Sequence, residues 1–243
     1  MFSFFKKKKE SLVLPYKTDL HSHVIPGVDD GSEDLETSLF LIGKMQEWGI
    51  RNIITTPHRT DEVFENSVES IAAPFKELQD AMRAAYPEMS ISHTFEYRMD
   101  EGFIRLKDAG KLVPLKGNYI LVENSFIQPL WNLDQLLFDL RLKGFKPVLA
   151  HPERYSYYRN NRKELESLHD TGCLFQVNLL SLAGIYSKDV QSTALWLLEK
   201  GYLDFLSTDL HHKGHTEEID AFLSSKAYAK LLPKLQHLMN DLI

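Results

Sequence analysis

Asp19-Leu20-His21-Ser22-His23 sets two imidazoles two residues apart. Side chains alternate faces along an extended strand, so His21 and His23 point the same way, close enough to share one cation. Two imidazoles do not complete a coordination sphere, and the other ligands must be histidines or carboxylates from elsewhere in the chain. The acidic turn Asp29-Asp30-Gly31 follows at once and offers Asp30. Further on, His58 follows Thr55-Thr56-Pro57, Glu96 and Glu123 each close a largely apolar run, and His151 opens His151-Pro152-Glu153-Arg154. Asp209-Leu210-His211 repeats the two-residue spacing. A lone carboxylate ending an apolar strand is costly to leave unpaired, which favours ligation for Glu96 and Glu123 over a solvated role.

Arg154 does not ligate metal, but its planar fork matches phosphate oxygens, the plain alternative being a surface ion pair. Arg154, His58 and Asp209 are the catalytic candidates, and Arg154, Arg59 and Lys213 the substrate-binding ones. His212 and His215 also stand near a strand end, and Arg59, Lys213, His212 and His215 are weaker candidates that read first as solvated loop residues. His93, within a strand, and His169, within a helix, read as structural.

Positioning these groups requires a repeated strand–helix unit. Strands are expected from Lys17 to the histidine pair, over Ile50–Thr55, over Ile91–Phe95 and over Tyr119–Val122. Three more are expected over Pro147–Ala150, Cys173–Val177 and Leu203–Ser207. Between them, apolar residues at helical spacing mark helices through Leu35–Met45 (Ser32 as N-cap), Val68–Met82 (kinked or restarted at Pro74) and Phe103–Leu106. Helices are likewise expected through Leu133–Leu140, Leu165–Leu168, Val190–Leu198 and from about Glu217 onward, several stopped by glycine. Short βα units in this order imply a parallel sheet, with chemistry at the carboxyl ends of the strands. The expected fold class is α/β, a single closed or nearly closed barrel over residues 15–243, preceded by a basic and aromatic tail at 1–14.

Composition sets limits. With 243 residues and a formal net charge of −6, the chain has no broad basic field for nucleic acid. No apolar run is long enough for a membrane span and no signal-peptide pattern opens the sequence, so a cytoplasmic location is expected, membrane contact being at most peripheral through the tail. One cysteine forbids an internal disulfide and a cysteine-rich zinc site. Cysteine-dependent phosphatase chemistry needs an arginine six residues after the thiolate, yet Leu179 stands at that distance from Cys173. A phosphate-binding Gly-x-x-x-x-Gly-Lys-Ser/Thr loop is also missing.

Asp19–His23, Asp29-Asp30-Gly31, Thr55–His58, Ala150–Arg154 and Thr208–His211, in this order, resemble the polymerase-and-histidinol-phosphatase superfamily. Within it they are most similar to the CpsB-type bacterial protein-tyrosine phosphatases of capsular and exopolysaccharide biosynthesis. The resemblance implies a distorted (β/α)7 barrel with three divalent ions, manganese first, with iron, zinc or magnesium as alternatives. By position, His21, His23, Glu96 and Asp209 would hold one ion; Glu96 would bridge to a second, shared with Glu123 and His151; Asp30, His58 and His211 would hold the third. Arg154 matches a phosphate-contacting arginine, whereas a second arginine that some members carry after Asp-x-His is replaced here by His211-His212-Lys213-Gly214-His215. The implied reaction is hydrolysis of phosphotyrosine by direct attack of metal-held hydroxide, with no phosphoenzyme. The implied partner is the tail of a bacterial tyrosine kinase, and an oligomer is compatible with this picture. Other readings are a small-molecule phosphatase of the histidinol-phosphate kind, a nuclease, and a non-catalytic metal-binding assembly partner.

Overall fold

The computed structural model describes residues 13–159 and 161–243, so the expected tail lies outside the described residues as far as residue 12. Leu14 is buried, and its N–H donates to the Trp48 carbonyl. Strands and helices alternate: β1 (Thr18–Asp19), α1 (Leu35–Glu47), β2 (Asn52–Thr55), β3 (His58–Thr60), β4 (Phe64–Glu65), α2 (Val68–Ala85), β5 (Ser90–His93), β6 (Glu96–Arg98) and α3 (Glu101–Asp108). The second half contains β7 (Tyr119–Glu123), α4 (Leu133–Leu142), β8 (Lys146–Ala150), α5 (Arg162–Asp170), β9 (Leu174–Asn178), α6 (Leu179–Ala183), α7 (Lys188–Lys200), β10 (Phe205–Ser207), α8 (Lys213–Leu223) and α9 (Lys226–Leu231).

The strands form a three-stranded sheet, β1-β2-β5, and a seven-stranded one, β10-β9-β8-β7-β6-β3-β4, parallel throughout except for the β3–β4 hairpin. Two expected strands are each followed at once by a strand of the other sheet. Ile50–Thr55 begins later, as β2, and leads through Thr56-Pro57 into β3, while the strand expected at Ile91–Phe95 is β5, ending at His93, so that Glu96 opens β6 and does not close a strand. Proline has no N–H to offer a ladder, so Pro57 interrupts regular pairing. Hydrogen bonds nonetheless cross the break, from Thr94 N–H to the Thr55 carbonyl and from Glu96 N–H to the Pro57 carbonyl.

Between β1 and β10 the joint is made largely by side chains. Asn240 donates to the carbonyls of Thr18 and Leu206 and accepts from Leu206 N–H. Asp19 accepts from the Thr208 N–H at 3.0 Å and hydroxyl at 2.6 Å. Backbone contact resumes above, where Asp209 N–H donates to the His21 carbonyl and His23 N–H to that of Leu210.

Helix ends follow local chemistry. Asp34, not Ser32, caps α1 by accepting from Thr37 N–H, while the Ser32 hydroxyl turns inward to the Asp34 carbonyl and Ser38. Helix α2 runs unbroken through Pro74 behind a Ser67/Ser70 capping box. The expected C-terminal helix starts earlier, at Lys213, and is divided between α8 and α9 by Ser224 and the α9 N-cap Ser225. Leu41, Ile42, Met45, Trp48, Phe175, Leu197 and Leu206 belong to the buried core that holds the helices against the sheets.

Candidate metal centre

The residues that end the strands converge on one point. His21 Nε2 lies 3.2 Å from His23 Nε2, 3.2 Å from Glu96 Oε2 and 3.3 Å from Asp209 Oδ1. Both Nδ1 atoms are engaged behind the rings: His21 donates to Gln176 Oε1 and His23 to Asp29 Oδ2, each at 2.7 Å. That leaves each Nε2 facing the other and two carboxylate oxygens, so the four atoms can be held together only by protons or by a cation between them. Glu96 Oε2, Asp209 Oδ1 and His58 Nδ1 are buried and lack hydrogen-bond partners, as coordinating atoms would.

On the far side of Glu96, His58 Nδ1 stands 3.1 Å from Glu96 Oε2 and 3.6 Å from Glu123 Oε1. His58 Nε2 and His211 Nε2 approach Asp30 Oδ1 at 3.3 and 3.7 Å, and the His211 Nδ1 donates to the Asp209 carbonyl. His151 Nε2 meets the other oxygen of Glu96 at 2.8 Å. Four groups of side chains bring donor atoms within 4.8 Å of one another: His23/Asp30/His58/His211, His21/His23/Glu96, His21/His151/Asp209 and His58/Glu96/Glu123. Among the described residues, these groups contain the nine expected ligands and no other side chain. Glu123 groups with His58, whereas His151 groups with His21 and Asp209, a partition different from the one the resemblance implies.

Electrostatics point the same way. Burial pushes the Glu96 and Asp209 carboxyls up, but His21 with His58, and His21 with His211, outweigh it and hold both well below the usual range. Burial pulls His58 and His21 down, yet facing carboxylates, Glu96 foremost, lift both above the ordinary imidazole value. His211 is instead drawn down to about 4 by burial and the neighbouring His23. The centre thus attracts positive charge strongly, and N/O donors of this kind suit divalent ions of the first transition row.

Local backbone geometry serves these contacts. His151 and Asp209 adopt left-handed φ values of 37° and 50°, costly for residues with a Cβ and typical of places where position matters more than stability. Gly31 could not be alanine in this backbone, because a Cβ there would lie 2.3 Å from the His23 carbonyl oxygen.

An open cleft of about 320 Å³ lies over the centre, walled by Phe126, Arg154, Tyr186, His212 and His215. The Arg154 guanidinium donates to Asp209 Oδ2 at 3.0 Å and sits 5.1 Å from the Phe126 ring and 4.5 Å from the Tyr186 ring. Arg59 lines a different cavity, with Phe95 and Tyr97, and Lys213 packs over Phe40, so neither lines the cleft. His93 packs edge-on to Phe75, and His169 donates to Asp204.

Several supporting residues escaped the sequence reading. Gln176 accepts from His21 and donates to Asn178 Oδ1, and Asn178 Nδ2 donates to Asp209 Oδ2 at 2.6 Å, linking two candidate ligands through amides. Arg98 pairs with Glu123 at 3.0 Å. The polar alternation Gln176, Asn178 inside an otherwise apolar strand was the available signal; for Phe126 and Tyr186, on loops, there was none.

Residues 17–222 match the family model described as Capsular polysaccharide synthesis, CpsB/CapC. The chain belongs to the CpsB/CapC family. It is 32% identical over 222 residues to the tyrosine-protein phosphatase YwqE of Bacillus subtilis, covering 88% of this chain and 86% of that protein. It is 28% identical over 200 residues to the tyrosine-protein phosphatase CpsB of Streptococcus pneumoniae, covering 80% and 82%. A solved structure, reported among those of YwqE and CpsB as unique metal-dependent tyrosine phosphatases, superposes with a TM-score of 0.77 at 30% identity over 91% of this chain and 95% of that one. An amidohydrolase from Mycoplasma synoviae, 14% identical with a TM-score of 0.55 over 91% of this chain and 87% of that one, shares the fold alone. In this CpsB/CapC chain the segment from Lys17 to Phe222 carries all nine candidate ligands, Arg154 and both aromatic walls of the cleft.

Proposed function

We propose that this CpsB/CapC protein is a metal-dependent phosphotyrosine-protein phosphatase, as its relatives YwqE and CpsB are named. The observation that carries the reading is the set of nine converging donors beneath an open cleft into which one arginine projects. Seven strand units run in chain order, β2 with the β3–β4 hairpin and β5 with β6 each counting as one, which supports a distorted (β/α)7 barrel closed along the β1–β10 joint. His21, His23, Glu96 and Asp209 would hold one ion, with Glu123, His151, His58, Asp30 and His211 completing sites for two more, manganese being the first choice.

Divalent ions bound there would neutralise a phosphate dianion and lower the pKa of water. The chain's own groups do the rest. Arg154, with Asp209 engaging one of its donors, keeps others free to hold the phosphoryl oxygens and stabilise their charge as the ester bond breaks. His58 and Asp209 shape the polar floor against which the phosphorus is held. Phenolate, with a parent pKa near 10, leaves with modest proton assistance. The buried Cys173, its thiol pushed up to about 12 by burial, takes no part.

The partner that fits is a phosphorylated tail of a tyrosine kinase in capsule synthesis, met in the cytoplasm; no described helix is long and apolar enough to cross a membrane. Manganese-loaded protein should release phosphate from a phosphotyrosine peptide far faster than from histidinol phosphate, and His21→Ala should lose both activity and bound metal. Preference for histidinol phosphate would instead select the small-molecule reading.

A further inference from the structure

Phe126 and Tyr186 have no role in holding metal, yet both face the cleft beside the one arginine suited to phosphate. Both rings contact the same guanidinium, at 5.1 and 4.5 Å from its central carbon, so a phosphoryl group on Arg154 puts its ester oxygen within ring reach of each. Phe126 is 41% exposed, although its lower face is fixed by stacking on His151 at 5.7 Å and by Tyr155 at 5.3 Å. Tyr186 is half-buried, in the loop between α6 and α7. The loop that carries Phe126 also leaves Ile127 and Trp131 87% and 92% exposed, an apolar run that nothing among the described residues covers. Aromatic rings beside a phosphate-binding group offer a substrate ring edge-on or offset contact.

We infer that Phe126 and Tyr186 form an aromatic clamp for the phenyl ring of the substrate, making the site selective for aryl over alkyl phosphate monoesters. This rests on the phosphatase reading above and deepens it. Aryl esters also have a better leaving group, so hydrolysis rates alone would not isolate the clamp; binding of unreactive analogues does.

The test measures competitive inhibition of the manganese-loaded protein by benzylphosphonate, by butylphosphonate and by inorganic phosphate, with p-nitrophenyl phosphate as reporter. Wild type should bind benzylphosphonate more tightly than butylphosphonate. Phe126→Leu and Tyr186→Leu, which keep apolar volume but remove the ring, should each shrink that preference about five- to tenfold, as expected for loss of one aromatic pair. Inhibition by inorganic phosphate and metal content should stay unchanged, and Tyr186→Phe should retain the preference. For phosphotyrosine peptide the loss should appear chiefly in KM. Equal preference in wild type and both leucine variants overturns the clamp while leaving the phosphatase reading intact. A wild type that hydrolyses no aryl phosphate overturns both together, and loss of metal in the leucine variants overturns the assignment by making the rings supports of the centre.

Discussion

Replacing Arg154 by alanine separates phosphate recognition from metal retention. Its guanidinium donates one bond to Asp209 Oδ2, 3.0 Å away, and the same oxygen accepts from Asn178 Nδ2 at 2.6 Å. Removal therefore strands no buried acceptor, and Asp209 keeps its orientation toward His21. What is lost is a pair of charge-assisted hydrogen bonds to the phosphoryl group, each worth roughly 1.5–3 kcal/mol and more as charge develops in the transition state. A total of about 3–4 kcal/mol corresponds to a fall of roughly 10²–10³ in kcat/KM. Arg154→Lys should recover only part, since a point charge cannot engage two oxygens in one plane. The guanidinium lies against two rings, so a stability loss on the order of 1 kcal/mol, a drop of about 2–4 °C in melting temperature, is expected. Steady-state kinetics on phosphotyrosine peptide, bound manganese by atomic emission and a thermal melt make the assay. An Arg154→Ala protein with full kcat/KM, or one that loses its metal along with its activity, refutes the reasoning.

Gln176→Leu should leave the fold in place but free the His21 ring to flip, weakening manganese affinity about 10–100-fold in a titration; unchanged affinity would remove the amide from the centre's support. Asp19, fully enclosed, has its carboxyl pushed from an ordinary 3.8 to about 7 by burial, against the lowering effect of its bonds from Thr208. The folded state therefore favours the neutral acid, and this stability is present below about pH 4 and lost as pH rises to 7. Chelator-stripped wild type should lose about 1.4 kcal/mol per pH unit relative to Asp19→Asn between pH 5 and 7, and nothing further above it; parallel denaturation curves would contradict this. Cys173→Ala should keep full kcat/KM, and iodoacetamide should leave the native thiol unmodified at pH 8, as a buried group pushed up to about 12 demands; inactivation by the reagent would reopen thiol chemistry.

Residue type and spacing were enough to single out nine side chains that the fold brings together, because coordination is demanding. His21 and His23 need only strand alternation to face together, and a buried ionisable group at the end of a strand, Glu96 opening β6 or Glu123 closing β7, has few inexpensive uses. Periodicity also placed most helices. The change of sheet after Thr56-Pro57 and after Thr94-Phe95 was not readable, since a run of β-branched residues does not say which neighbour the chain will pair with beyond a kink. Ser32 resembled a cap as well as Asp34 does, and only packing against Ser38 decides between them. Arg59 is the instructive failure: one residue from His58, alternation sends it to the opposite face and into another cavity. Proximity in sequence to a ligand thus says little without the strand's parity.

Asn240 spans the joint between the first strand and the last, and Asp241 accepts from the Lys17 and Thr18 N–H groups. Those partners lie 222 to 224 residues apart in sequence, so the joint closes only when the first strand has met a segment far along the chain. Clipping the protein after Leu238 would remove both side chains and loosen the strand that leads into the histidine pair, and such a protein should capture divalent cations less tightly than the intact one.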